Sequence, residues 1–199
     1  MPKLQTARRT QAERTRVSRE KIIRAATELF AQQGFHGAKM ADIAKAAHLT
    51  VPGLLHHFPS KTSLLTAVLA ERDRVDRERF LPVGGSEADG KLASLQALVE
   101  YNQIVPGLVQ LFTVLVAESI DEQHPGHEFF KHRYQSIRKQ SITILNEAQK
   151  HGEVRSDLPA EDLVVMLFAM MDGLQVQWLY EPERIKMARL FEQFLRLLR

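Results

Sequence analysis

The 199-residue chain contains no cysteine, so it has neither disulfide bonds nor thiolate chemistry. It also lacks a GxSxG elbow, a phosphate-cradling glycine loop and a dinucleotide fingerprint. Pro106 and Gln110 interrupt the apolar stretch over 105–117, which is shorter than the roughly 20 residues of a membrane span. The Arg-rich start has no apolar core of a signal peptide. These absences predict a cytoplasmic protein that is not an enzyme, needs no cofactor and has no membrane partner.

The charge is distributed unevenly along the chain. The net charge is +3, but residues 1–61 hold 11 Lys and Arg against 4 Asp and Glu, whereas the remainder holds 16 against 20. A basic end beside an acidic remainder favours a polyanion as the partner of that end only. A solvated terminal tail is the alternative that charge alone leaves open.

Apolar residues recur at the three-to-four spacing of amphipathic helices, and no segment alternates as a strand does. Gly and Pro clusters separate helical segments over 61–80, 91–103, 127–150 and 159–179. The segment 159–179 is apolar on nearly every side, which requires cover from more than one direction. In a chain of this size a second subunit is the economical cover. The pattern predicts an all-α protein of about nine helices.

Three of these helices form a compact motif near the N-terminus. The first spans 19–33 and ends at Gly34, where glycine adopts a left-handed backbone without strain. A short helix over 40–46, a three-residue turn and a second short helix over 50–57 follow, with Thr50 as the N-cap of the latter. Two short helices joined by a tight turn behind a longer one predict a helix-turn-helix.

Residues 19–65 resemble the DNA-binding domain of the TetR family of one-component regulators. The spacing IAxxAxLTxxxLxxHFxSK is much more specific than a generic helix-turn-helix. The residues that carry the resemblance are Ala26, Leu29, Phe30, Gly34, Phe35, Ile43, Ala44, Ala47, Thr50, Leu54, His57, Phe58, Ser60, Lys61 and Leu64.

This chain departs from the family pattern at a few positions. Ala38 replaces a threonine that caps the second helix, and His48 replaces the usual turn glycine. Pro52-Gly53 replaces a common Gly-Thr, and Leu55 stands where a phosphate-contacting tyrosine is frequent. The departures affect local capping and individual DNA contacts but leave the motif in place.

The resemblance implies a sequence-specific transcriptional regulator, commonly a repressor that a small-molecule effector releases from a palindromic operator. It divides the chain into a basic flexible arm over 1–18, a helix-turn-helix domain over 19–60 and a helical effector-binding and dimerisation domain over 61–199. Dimerisation would use the helices over 127–150 and 159–179, packed as a four-helix bundle. The expected partners are therefore double-stranded DNA, a second copy of the chain and an unknown small molecule.

The expected DNA contacts lie on the second short helix and beside it. Thr50, His57, Lys61 and Lys39 would hold phosphates, while an outward face would meet base edges. Apolar side chains on that face favour contact with thymine methyl groups. The base-reading face consists of Val51, Pro52, Leu55 and His56.

The effector pocket is implied by the family and can be placed only coarsely. Pockets between helices are mostly apolar with a few polar groups. The C-terminal helices offer such residues, although aromatic and methionine residues there more often belong to the core than to a pocket. The candidate lining residues are Tyr101, Phe112, Glu118, Phe168, Met171, Asp172 and Trp178.

Other functions remain open at this point. A protein of the same fold could bind DNA without an effector, acting architecturally or through a protein partner, and a helical module could carry an incidental basic end. Histidines 124, 127 and 132 with Glu128 suggest a metal site, but the first precedes a Pro-Gly turn and lacks the i, i+4 spacing of a zinc helix. No metal site is therefore predicted.

Overall fold

The computed structural model describes residues 10–80 and 88–199. In this part of the chain there are nine α-helices and no strand, which confirms the all-α prediction. The helices are α1 (Gln11–Gly37), α2 (Met40–Ala46), α3 (Val51–His57), α4 (Lys61–Phe80), α5 (Ala88–Ile104), α6 (Pro106–Glu118), α7 (His127–Lys150), α8 (Ala160–Tyr180) and α9 (Met187–Leu197).

Helix α1 begins at Gln11, eight residues before the predicted start. Thr10 caps it by accepting a hydrogen bond from the Glu13 N–H at 3.2 Å, and Arg16 pairs with Glu20 at 2.8 Å one turn later. These residues are mostly exposed and form no apolar stripe, so hydrophobic periodicity does not indicate the helix here. The prediction of a flexible arm is therefore wrong for 11–18, and residues 1–9 lie outside the described part.

The break after α1 is real. Gly34 has φ 68° and ψ 177°, a backbone conformation that is essentially restricted to glycine. The helical range resumes after this kink and ends at Gly37, before α2. The predicted end of the first helix at Gly34 is thus confirmed, although a single helical range runs through the break.

The helix-turn-helix has the predicted geometry. Helix α2 ends at Ala46, and His48 has φ 58° in the turn, a left-handed conformation that is uncommon outside glycine but in which Asn, Asp and His are enriched. Thr50 caps α3 by accepting from the Gly53 N–H at 3.2 Å. Lys39 precedes α2 without any side-chain cap, as expected from the missing threonine at Ala38.

Two hydrophobic cores hold the helices together. The first unites the buried faces of α1 to α4 with Leu111, Phe112 and Leu115 of α6 and Phe130 of α7. The second lies among α5, α7, α8 and α9. The helices of the helix-turn-helix therefore share a core with α4 and α6, so there is no gap in packing at the predicted division between 60 and 61.

Helix α8 leaves part of its apolar surface uncovered. The side chains of Val165, Met166, Met170 and Val176 are 37–54% exposed. By length and composition α8 is also long and apolar enough to cross a membrane, a test that core helices of soluble proteins pass equally. Its other face, including Leu163, is buried in the second core.

Candidate DNA-binding surface and effector cavity

Helix α3 presents a mixed outer face. Leu54 and the C-cap Phe58 are buried, whereas Pro52 and His56 are exposed and Leu55 is 41% exposed. Exposure of a leucine this large on a seven-residue helix leaves an apolar contact surface available to a partner. The predicted outward direction is confirmed for Pro52, Leu55 and His56.

Val51 is the exception on that face. It is half-buried and packs against the first core, although the sequence predicts that it points outward. It occupies the first turn of α3, where the helix leans against its neighbours. Only part of its side chain is therefore accessible to a base edge.

The polar residues proposed for phosphates differ in accessibility. Lys39 is exposed at the start of α2, and Thr50 is exposed at the N-terminus of α3. The Thr50 hydroxyl oxygen already accepts from the Gly53 amide, so its proton is the group left for a phosphate oxygen. Both residues lie at helix N-termini, where backbone amides also favour anions.

The rings of the two histidines at the end of α3, His56 and His57, are in contact. Their rings lie 5.5 Å apart in an edge-on arrangement, rather than pointing apart as adjacent helical residues usually do. Burial lowers the pKa of His57, and the neighbouring His56 and Arg19 lower it further. Arg19, which the sequence reasoning did not select, stacks its guanidinium 4.3 Å from the centre of the Phe58 ring. It therefore adds a cation beside α3.

The ammonium group of Lys61 already has partners within the protein. Its Nζ donates to the His36 carbonyl at 3.1 Å and lies 4.7 Å from the centre of the Phe35 ring. Burial lowers its pKa, and the nearby Glu118 carboxylate acts in the opposite direction. Lys61 therefore joins α4 to the end of α1, and any phosphate contact would have to share the ammonium group with these partners.

A small cavity of about 20 Å³ lies among α4 to α8. Tyr134 donates a hydrogen bond to Asp172 at 2.7 Å across it. The guanidinium groups of Arg72 and Arg133 lie 4.4 and 4.9 Å from the centre of the Phe112 ring. The lining residues are Arg72, Leu98, Asn102, Phe112, Arg133, Tyr134, Ile137, Phe168, Met171, Asp172 and Gln175.

Opposing influences act on the pKa of Asp172 in the cavity wall. Burial raises the pKa of Asp172, while the Tyr134 hydroxyl and the nearby arginines lower it. Burial also raises the pKa of Tyr134, as does the adjacent Asp172. Arg133 is paired with Asp73 at 2.9 Å. A ligand that donates a hydrogen bond or brings positive charge would stabilise the ionised form of Asp172.

Four of the seven predicted pocket residues meet at this cavity, and three do not. Phe112, Phe168, Met171 and Asp172 line it. Tyr101 does not line it, and Trp178 is buried in the second core. Glu118 is the last residue of α6 and contacts α1 instead of lining the cavity, so its placement in a pocket is corrected.

The sequence reasoning missed most of the polar lining. The side chains of Asn102 and Gln175 are each 3% exposed and line the cavity, yet neither is among the predicted lining residues. Tyr134 is likewise absent from the predicted lining. A polar residue on an otherwise apolar helical face is the available signal, and it selects only the two acids Glu118 and Asp172.

An open cleft of about 740 Å³ lies elsewhere, between α1, α4 and the junction of α5 and α6. Its walls carry ion pairs such as Arg16–Glu20 and Arg74–Glu71. None of the predicted pocket residues lines it. These pairs are largely exposed to solvent, so the cleft has fewer features of an effector site than the small cavity.

The histidines considered for a metal are separated. His124 is buried against the end of α6, whereas His132 is exposed and lies 3.6 Å from Glu128. Across the residues that the structure describes, no three His, Asp or Glu side chains are placed to hold a metal ion.

Comparison with known families agrees with this geometry. Residues 22–68 match the family described as "Bacterial regulatory proteins, tetR family". Residues 91–199, more than half of the chain, match "BetI-type transcriptional repressor, C-terminal". Together the two matches cover the helix-turn-helix with the start of α4 and almost all of the C-terminal helices.

Individual relatives are similar along most of the chain. The HTH-type transcriptional regulator UidR of Escherichia coli K12 is 27% identical over 146 residues, 71% of each chain. The structure of Salmonella enterica GusR has a TM-score of 0.70 and 27% identity, and the match covers 95% of this chain and 97% of GusR. A regulator from Saccharomonospora viridis in complex with choline has a TM-score of 0.75 and 22% identity, covering 90% and 95%.

These matches, the nine described helices and the exposed face of α3 agree on one assignment. The family and the relatives consist of transcriptional regulators, not enzymes. The chain belongs to the TetR family of bacterial transcriptional regulators and carries its helix-turn-helix DNA-binding domain.

Proposed function

We propose that this protein is a cytoplasmic, homodimeric transcriptional repressor that binds a palindromic operator and leaves it when a small molecule binds. The observation that carries the proposal is the exposed face of a capped recognition helix in a TetR-type helix-turn-helix. The match of the C-terminal part to a family described as a transcriptional repressor supports repression rather than activation.

In this proposal α3 lies in the major groove. Leu55 and Pro52 contact thymine methyl groups, and His56 offers ring nitrogens to a base edge or a phosphate. Lys39 and Thr50 hold phosphates at the N-termini of α2 and α3. The accessibility of all five side chains supports these assignments. Val51, His57 and Lys61 contribute less because each is partly buried.

The test of base reading is a comparison of operator variants. Leu55→Ala should relax the preference at one base pair, a loss of about 1–3 kcal/mol of discrimination. Val51→Ala is the matched control on the same helix, since its side chain is half-buried. Unchanged specificity of the Leu55 variant across all single-base operator changes would remove Leu55 from the reading face.

The dimer would form through the exposed face of α8 together with α7. Met166, Met170 and Val165 leave apolar surface on α8 that a second α8 can cover. Packing two helices from each protomer across a two-fold axis gives a four-helix bundle. The same axis would set the two recognition helices about 34–36 Å apart, or a multiple of this, to match two half-sites.

The effector would bind at the small cavity. The partly buried Asp172 and the buried Asn102 and Gln175 give the cavity wall polar groups that a ligand can bind. A ligand would have to enlarge the cavity, because about 20 Å³ holds little more than one water molecule. Enlargement would press on α4 through Arg72 and on α6 through Phe112, and both helices pack against the DNA-binding domain.

The regulator from Saccharomonospora viridis provides a first probe, because it was solved with choline. Choline carries the positive charge that would stabilise Asp172. Binding at 100 times Kd would stabilise the protein by about 2.7 kcal/mol. The expected Tm rise is about 5–11 °C, and it should disappear in Asp172→Asn and for the uncharged isostere 3,3-dimethyl-1-butanol. Equal shifts for both compounds would show that charge on Asp172 is not recognised.

A second candidate function follows from the small size of the cavity. A regulator of the same fold without any small-molecule effector, acting architecturally or through a protein partner, needs no room among α4 to α8. A broad ligand panel that never shifts the Tm nor releases operator DNA would favour this candidate. Any ligand that does both would exclude it.

A further inference from the structure

We propose that Glu118 is a positioning residue for operator binding, because its carboxylate fixes the end of α1 and thereby sets the orientation of the helix-turn-helix relative to the C-terminal helices. The inference rests on the proposed function of α3 as the DNA-reading helix. Glu118 itself does not face DNA. It is the last residue of α6, and it contacts the backbone at Gly34 and Phe35.

The first step is the hydrogen bond at the break in α1. The Phe35 N–H, which follows the non-helical Gly34, donates to Glu118 Oε2 at 2.7 Å. The two residues are 83 positions apart, so this bond links the DNA-binding domain directly to the C-terminal domain. A hydrogen bond to a charged acceptor is stronger than a neutral one. The bond therefore fixes the chain where it turns towards α2.

The second step is the shape of the contact at Gly34. A β-carbon added at this position would collide with Glu118 Oε1. The carboxylate thus occupies the space that any other residue's side chain would need. Gly34 is required here for close approach as well as for its positive φ.

The third step concerns His124, which stands behind the carboxylate. Its Nδ1 lies 2.8 Å from Ser119 Oγ and accepts from the Gly126 N–H at 3.1 Å, so the ring proton is on Nε2. That Nε2 is buried without a hydrogen-bond partner in the described residues and lies 3.7 Å from Glu118 Oε2. The imidazole therefore directs a positive N–H dipole at the carboxylate and supports its orientation.

The fourth step is a second clamp on the same segment. Lys61, the first residue of α4, bonds the His36 carbonyl and covers the Phe35 ring. The Phe35 ring also packs edge-on against the His124 ring, with centroids 5.1 Å apart. The segment that leads into α2 and α3 is therefore held by α4 on one side and by α6 through Glu118 on the other.

The test compares two substitutions with a surface control. Glu118→Ala removes the acceptor, whereas Glu118→Gln keeps an oxygen that can accept from the Phe35 N–H. Glu122→Ala changes the net charge by the same amount at an exposed position in the loop that follows α6. Binding is measured by fluorescence anisotropy with an operator duplex and a shuffled duplex of equal length.

Glu118→Ala should weaken operator binding by about fivefold or more, the lower end of typical couplings between sites. Binding to the shuffled duplex should not change, because the phosphate contacts remain. Glu118→Gln and Glu122→Ala should bind the operator as the wild type does. Operator affinity of Glu118→Ala equal to wild type, equal losses on both duplexes, or failure of Glu118→Gln to restore affinity would each overturn the proposal.

A second readout does not require DNA. Because the chain contains no cysteine, Lys45→Cys on α2 and Arg189→Cys on α9 can carry a pair of spin labels. Labelled protein is diluted with unlabelled protein so that distances within one protomer dominate. Glu118→Ala should broaden or shift the distance distribution, and Glu118→Gln should not.

The two readouts separate the failures. A wild-type protein that does not distinguish the operator from the shuffled duplex would contradict the proposed function. The distances would still decide the role of Glu118 in orienting the domain. Identical distance distributions for wild type and Glu118→Ala would refute that role even if operator binding is established.

Discussion

Substituting Gly34 by alanine should destabilise the protein more than any ordinary glycine substitution. The backbone conformation at Gly34, with φ 68° and ψ 177°, costs a side-chain-bearing residue about 1–3 kcal/mol. The new β-carbon would also displace the Glu118 carboxylate and leave the Phe35 N–H without its acceptor, a further cost of about 1–3 kcal/mol. The sum is about 2–6 kcal/mol, a large part of the stability of a typical protein.

The assay is thermal unfolding at equal protein concentrations, since oligomerisation makes Tm depend on concentration. For a chain of this size the expected loss in Tm is about 4–24 °C. Gly152→Ala is the matched control, because Gly152 has φ 70° but open space around its missing β-carbon. It should show only the backbone strain and therefore a smaller loss than Gly34→Ala.

A double-mutant cycle then isolates the collision. In the Glu118→Ala background the β-carbon at Gly34 meets no carboxylate, so Gly34→Ala should cost only its backbone strain. The two changes should therefore couple by about 0.5–3 kcal/mol. Strictly additive losses, or a Gly34→Ala loss no larger than that of Gly152→Ala, would refute the close contact between Gly34 and Glu118.

Three further predictions follow from the surface, the interface and the buried histidine. Lys39→Ala should weaken binding to all DNA sequences alike and flatten the salt dependence by about one unit, whereas a loss confined to one operator would contradict its phosphate role. Met170→Glu should give a folded monomer in sedimentation analysis, and a stable dimer would show that α8 is not the interface. Burial lowers the pKa of His124 below its ordinary 6.5, so the unfolded state takes up the proton first and stability should fall as pH drops below about 6.5. His124→Gln should reduce this loss of stability at low pH, measured as Tm against pH. A pH profile identical to that of the wild type would contradict the role of His124.

Segments with local signals were predicted well from the sequence. Helix α7 has the predicted bounds because Gly126 and His151 flank a continuous apolar stripe. The helix-turn-helix was predictable because Thr50 caps α3 and Gly34 ends the regular part of α1. The early turns of α1 were missed because an exposed, charged helix has no apolar period, and only the cap at Thr10 could have indicated it.

Contacts between distant residues account for most of what the sequence could not provide. Glu118 and Asp172 carry the same signal, an acid in an apolar helix, yet Asp172 lines the cavity and Glu118 binds the backbone of α1. For Glu118 the outcome depends on how α6 crosses α1, and helical periodicity contains no information on that crossing. The pairing of Tyr134 with Asp172, 38 positions apart, was unpredictable for the same reason.

The most direct test of the central claim is a DNA footprint of the purified protein on fragments from around its own gene, at two salt concentrations. The account predicts protection of a palindrome whose half-sites are spaced by whole helical turns, with binding that weakens steeply as salt rises. Absence of protection, or salt-sensitive binding that is equal on shuffled DNA, would contradict a sequence-specific dimeric regulator.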